Sequence, residues 1–179
     1  MIDKNSPIIK KKFKKYNSIG KEELVAANKV IKSGKLSEFL ASYGKEFYGG
    51  KYVQLFEKKI TQFYNVKHAI VLNSWTSGLV AAVGALDIEP GDEIIVTPWT
   101  MCATATAILH WNAIPVFVDI SMEDFCIDTE DLGRKITSKT KAIITVDIFG
   151  KSSNIKKIKS KIKNKKIKII SDSAQSPYT

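Results

Sequence analysis

From Ala69 onward the chain alternates short apolar runs with segments of helical length, and this alternation restricts the fold more than any other feature of the 179 residues. Ala69 to Leu72, Glu93 to Thr97, Pro115 to Asp119, Ala142 to Asp147 and Ile167 to Ser171 read as strands. Between them Thr76 to Leu86, Met101 to Trp111, Thr129 to Ile136 and the lysine-rich stretch from Lys151 to Lys168 read as helices, and Pro90-Gly91-Asp92 as a turn. The strands are apolar runs rather than strict alternations, so both faces of each are expected to be covered. Strands joined through helices make βαβ units, and these give an α/β fold: a mostly parallel sheet with helices on both faces.

Two further helices precede this region. Gly20 to Lys32 carries Leu24, Ala27, Val30 and Ile31 on one face, with Gly34 as a stop. Tyr52 to Tyr64 carries Val53, Phe56, Ile60 and Phe63, a spacing that predicts a buried stripe. Lys35 to Gly50 reads as a loop. The expected organisation is a basic segment over 1–19 followed by one domain over 20–179.

Composition narrows the class. Hydrophobic residues are 44% and charged residues 26% of the chain, which excludes disorder. No apolar run reaches the ~20 residues of a membrane helix. Met1 to Lys15 has no apolar core of a secretory signal. Cys102 and Cys126 lie far apart, and His68 and His110 near neither, so no metal spacing is present and free thiols in the cytoplasm are expected. The net charge of +10 raises nucleic-acid binding. Against it, Ile155, Ile158 and Ile162 recur at helical spacing among the lysines of the densest basic stretch, which holds no base-stacking aromatics. That pattern fits a helix with its apolar stripe inward and its lysines in water.

In an open parallel sheet, ligands bind beyond the carboxyl ends of the strands, so the residues just after each run matter most. Asn73 to Gly78 leaves a strand and enters a helix with hydroxyl-bearing residues. The first N–H groups of that helix lack intrahelical partners and its dipole is positive there, so Thr76 and Ser77 suit a phosphate; a plain Ser or Thr cap is the other reading. The segment lacks the GxGxxG spacing of a dinucleotide site, and Gly44 to Lys51 fails the P-loop pattern. Asp172, at the end of the last strand, suits a protonated ring nitrogen, and Gln175 a second ring substituent; Asp172 equally suits the cap of a turn.

Taken in order, these segments resemble the DegT-type family of nucleotide-sugar aminotransferases. The resemblance rests on Ile31 to Ser37, Phe56-Glu57, Asn73 to Leu79 (the family's Asn-Ser-Gly-Thr-x-Ala-Leu), Gly91 to Ile95, Thr100 to Thr104, Pro115 to Asp119 and Asp172-Ser173-Ala174-Gln175. It implies the large domain of the aspartate aminotransferase fold, with pyridoxal 5'-phosphate (PLP) at the carboxyl ends of the strands. Asp172 would pair with the pyridine nitrogen and Gln175 would meet the ring's phenolic oxygen side. Thr76 and Ser77, in the turn with Ser74 and Trp75, would hold the phosphate, and Met101 would lie on the ring face. The reaction implied is amino transfer from glutamate to the keto group of a nucleotide-linked sugar, by a homodimer, in amino-sugar or surface polysaccharide biosynthesis.

Two positions depart from the family pattern: Trp75 stands for glycine and Met101 for an aromatic. The family's Schiff-base lysine, and its small domain, would follow the Asp-x-Ala-Gln motif beyond Thr179, so no catalytic residue is assigned within the chain and the chain alone is expected to be inactive. A pyridoxamine phosphate-dependent sugar dehydratase, which carries histidine in place of that lysine, and a non-catalytic PLP- or nucleotide-sugar-binding fragment are the alternatives.

Overall fold

The computed structural model describes residues 15–36, 38–162 and 166–178. Most of the basic segment expected over 1–19, Ser37 of the early Ser-Gly segment, and residues 163–165 of the lysine-rich stretch lie outside the described residues. The chain divides into two compact units, Met1–Val71 and Leu72–Thr179.

In the first unit, α1 spans Lys21–Ser33 and α2 spans Lys51–Tyr64, with a short 3-10 helix at Lys45–Tyr48 inside the expected loop. The Gly20 N–H donates to Glu23 Oε2 at 2.7 Å, closing the start of α1 and holding the Glu23 carboxyl below its ordinary range. Gly34, at φ +70°, ends the helix in the left-handed conformation that glycine adopts without strain. Helix placement follows the expectation, but burial does not: no residue of α1 or α2 is buried, and Leu24, Ile31, Phe56 and Phe63 are all more than half exposed. An apolar stripe is buried only where a second layer is laid along it, and among the described residues of this unit none covers these. The strand expected at Ala69 to Leu72 is also absent. A strand needs a neighbour to receive its backbone groups; here the Val71 N–H donates to the Glu57 carboxylate at 2.9 Å instead.

The second unit is the α/β layer structure. Its elements are α3 (Trp75–Gly84), β1 (Glu93–Val96), α4 (Cys102–Leu109), β2 (Ile114–Phe117), α5 (Thr129–Lys135), β3 (Thr140–Val146), α6 (Ile155–Lys161) and β4 (Lys168–Asp172). Among the described residues the strands form one parallel sheet in the order β2-β1-β3-β4. The chain passes from β1 outward to β2, then crosses back to β3 on the other side of β1. Between β1 and β3, therefore, the loops leaving the strands diverge and open a crevice at their carboxyl ends. Pro115 is tolerated in β2, which has β1 as its single described neighbour.

Residues of one strand alternate between two cores. Ile94 and Val96 of β1 and Ala142 and Ile144 of β3 pack with Leu79 and Val83 of α3 and Ala107 and Ile108 of α4. Ile95 and Ile143 face the other way, onto Leu132 of α5 and Ile158 of α6. Each fully buried isoleucine is worth about 1.5–3 kcal/mol relative to leaving it in water. Ile158 anchors α6, with Ile155 and Ile162 partly buried beside it, while Lys156, Lys157 and Lys159 are exposed. This is the solvated basic face the spacing predicts. Close packing on the α3 side has a specific requirement at Gly84: a Cβ there would sit 2.1 Å from the Trp111 ring, whose Nε1 donates to the Val80 carbonyl at 2.8 Å. No helix among the described residues is long and apolar enough to cross a membrane.

Candidate active site

Asp172 is the last residue of β4 and is 5% exposed. A buried carboxylate is costly unless hydrogen-bonded, and this one receives donors from three places. The Trp75 indole Nε1, at the start of α3, donates to Oδ1 at 2.6 Å. The Thr104 hydroxyl, on α4, donates to Oδ2 at 2.8 Å, and the Ala174 N–H donates to Oδ1 at 3.2 Å. Thr104 is itself buried, and its hydroxyl lies 2.8 Å from that of Thr100. The Ala174 bond is the turn-capping interaction expected as one reading of Asp172; it coexists with the long-range donors. An ionised carboxylate accepts about four hydrogen bonds, so Oδ2 keeps capacity for another.

That carboxylate lines a cavity of about 220 Å³ together with Trp75, Thr76, Met101, Thr104 and Gln175. Of the residues singled out from the sequence, the structure thus brings Trp75, Thr76, Met101, Asp172 and Gln175 to one cavity. Ser74 and Ser77 stand beside it, in the cap of α3. Ser74 is the N-cap: its Oγ accepts the Ser77 N–H at 3.1 Å and donates to Ser77 Oγ at 3.1 Å. The capping reading of this segment is therefore realised. It leaves the N–H groups of Trp75 and Thr76 without intrahelical partners at the positive end of the helix dipole, beside the cavity. Met101, the N-cap position of α4, is exposed. Gln175 is exposed as well; its Oε1 accepts the Phe149 N–H at 3.4 Å, which leaves the side-chain amide N–H groups as its free donors.

A second buried carboxylate lines the same cavity. Asp147, just past β3, is 6% exposed and accepts the Ser153 N–H at 2.8 Å and the Ser173 hydroxyl at 2.7 Å. Its own N–H donates to the Asp172 carbonyl at 2.9 Å, tying the two strand ends together.

Sequence reasoning missed Thr104 as a holder of Asp172 and Thr100 as the hydroxyl paired with Thr104. The Trp75 bond to Asp172, spanning 97 residues, had no local signal.

The arrangement suits PLP on its own chemistry: a buried carboxylate with a vacant acceptor position, an amide donor at Gln175, and a helix N-terminus open to an anion. Comparison with known proteins agrees. The chain is 37% identical over 161 residues to the spore coat polysaccharide biosynthesis protein SpsC of Bacillus subtilis (strain 168), covering 90% of this chain and 39% of SpsC. Its fold matches the X-ray structure of an aminotransferase from Psychrobacter cryohalolentis with a TM-score of 0.81 at 28% identity, over 92% of this chain and 40% of that one. It also matches a GDP-4-keto-6-deoxymannose-3-dehydratase with a trapped PLP-glutamate geminal diamine, with a TM-score of 0.80 at 25% identity, over 90% of this chain and 40% of that one. The chain thus spans about 40% of the length of these proteins. With the model of the DegT/DnrJ/EryC1/StrS aminotransferases matching residues 14–179, the chain belongs to that family.

Proposed function

We propose that this chain carries the cofactor-binding part of a PLP-dependent enzyme that transfers an amino group from glutamate to the keto group of a nucleotide-linked sugar, in amino-sugar or surface polysaccharide biosynthesis. The observation that carries the reading is Asp172: a buried carboxylate at a strand end, held by donors on both oxygens, with acceptor capacity left toward a cavity beside the open N-terminus of α3. The family membership supports it, as does the similarity to a dehydratase named for a GDP-linked keto sugar and holding a PLP-glutamate geminal diamine.

PLP, when bound, supplies the electron sink that amino transfer needs. The chain's residues do the rest. Asp172 accepts the proton-bearing pyridine nitrogen and, as an anion, keeps that proton in place. The Thr76 hydroxyl and the first N–H groups of α3 take the phosphate, with Ser77 and Ser74 holding the turn that presents them. Met101, exposed at the cavity, would pack against the ring face with a polarisable side chain. Gln175 donates an amide N–H toward the ring oxygen. The working enzyme is a cytoplasmic homodimer, and the large domain begins near residue 20.

The test is to express the complete reading frame and supply PLP, glutamate and a panel of nucleotide-linked keto sugars. Glutamate-dependent formation of a nucleotide-linked amino sugar is the expected product. A second reading, sugar dehydration, is favoured by the similarity to the dehydratase. It predicts loss of a sugar hydroxyl with no nitrogen gained, and the same assay separates the two. Neither product from any sugar would contradict both.

A further inference from the structure

Building on the cofactor reading above, the geometry points to Trp75 as a positioning residue for Asp172, with Gly78 as the residue that makes room for it. The pattern this turn resembles runs Asn-Ser-Gly-Thr-x-Ala-Leu, whereas the chain reads Asn73-Ser74-Trp75-Thr76-Ser77-Gly78-Leu79. A large ring enters where the pattern has no side chain, and three residues later a methyl group is removed. The two changes are one accommodation. Residues three apart share a helix face, and a Cβ on Gly78 would lie 3.0 Å from Trp75 Cε3 and 3.2 Å from Cζ3. With no Cβ there, the indole settles against the helix, and from that pose its Nε1 donates to Asp172 Oδ1 at 2.6 Å.

The consequence falls on the carboxylate. The terminal torsion of an aspartate is soft and roughly two-fold, so a carboxylate held on one oxygen alone can swing. Trp75 holds Oδ1 and Thr104 holds Oδ2, from two different helices. Together they fix the plane of the group and leave its remaining acceptor position toward the cavity it lines. Trp75 therefore acts on the cofactor through Asp172, and this bond replaces whatever a bare glycine turn would leave to solvent.

The test compares the protein expressed from the complete reading frame with its W75F, D172N and double variants. PLP affinity is read by titration, and the tryptophan side-chain N–H signals by NMR. In the parent, the indole signal that disappears in W75F exchanges with solvent at least tenfold more slowly than an exposed indole, because it is bonded to a buried acceptor. W75F still unfolds cooperatively on heating but binds PLP about tenfold more weakly, the loss expected for one charge-assisted hydrogen bond. In the D172N background the same substitution changes affinity by less than threefold, because its target is already altered. Unchanged or tighter PLP binding by W75F overturns the proposal, since Trp75 would then be a bystander or an obstruction. A full tenfold loss that persists in D172N overturns it too, since the role would then be structural. A complete parent protein that takes up no PLP overturns the cofactor reading itself, and is recognised as such by a protected indole signal with no affinity to modulate.

Discussion

The ends of β3 and β4 are adjacent, and each carries a buried aspartate, yet the two are built for different work. Asp147 is bonded from close by: the Ser153 N–H is six residues away, and the Ser173 hydroxyl comes from the neighbouring strand end. Asp172 is bonded by side chains from two helices, at separations of 97 and 68 residues. A carboxylate tied to its own loop and the adjoining strand end stabilises that junction. One held by side chains from two helices has been placed by the tertiary fold, in the cavity that both carboxylates line. Burial alone, 6% against 5%, does not distinguish them; the origin of the donors does.

The sharpest way to break this comparison is to neutralise each aspartate in turn. D172N is expected to weaken PLP binding about 100-fold, the upper range for one hydrogen bond to a charged group. D147N is expected to change PLP affinity by less than about threefold while lowering unfolding free energy by about 1–3 kcal/mol, because a buried and a part-buried donor lose a charged acceptor. Titration and urea unfolding on both variants check this, and a reversed pattern would exchange the two roles.

A smaller effect is expected at the donors. T104V removes the hydroxyl that holds Oδ2 and leaves a buried carboxylate oxygen short of a partner. It should cost about 1–3 kcal/mol of stability, read from the urea midpoint, and also weaken PLP. Gly84→Ala sits away from both aspartates and serves as the control for packing. Its methyl meets the Trp111 ring, so a loss of about 1–3 kcal/mol is expected with PLP affinity per folded molecule unchanged.

The smallest effect concerns pH. Cys126 is buried, beside the loop that follows β3, with its Sγ 3.7 Å from the Lys151 carbonyl. Burial pushes its thiol above the ordinary range. The native state then keeps its proton to higher pH than the unfolded chain does. The stability this gives is present below the unfolded value of roughly 8.5 and is lost as pH rises through the folded one. C126A should therefore show a shallower fall in urea midpoint between pH 8 and pH 10.5 than the parent. An identical slope in both would remove Cys126 from the account.

Much of the sheet unit was legible in the sequence because its signals are local. Buried strands such as Ile94 to Val96 and Ala142 to Ile144 are continuous apolar runs, and Gly91 punctuates them with a turn, so element order and type follow, with ends shifted by a few residues. The first unit was legible only in part. The spacing of Leu24 or Phe56 specifies a helix, but whether the stripe is covered depends on other elements. The run at Ala69 to Leu72 has strand composition, but pairing is a property of neighbours, and its N–H at Val71 found Glu57. At the site, Asp172 and Gln175 were readable from their places at and after a strand end, and Thr76 from its place at a helix start. The donors to Asp172 were not, since contacts between residues so far apart in sequence leave no periodic trace.

The most direct test of the central claim, that Asp172 is the carboxylate that meets PLP, is a crystal structure of the chain with PLP bound. The pyridine nitrogen is expected within hydrogen-bond distance of Asp172 Oδ2, with the phosphate against the N-terminus of α3 at Thr76. A ring nitrogen paired with Asp147, or a phosphate held away from α3, would contradict it.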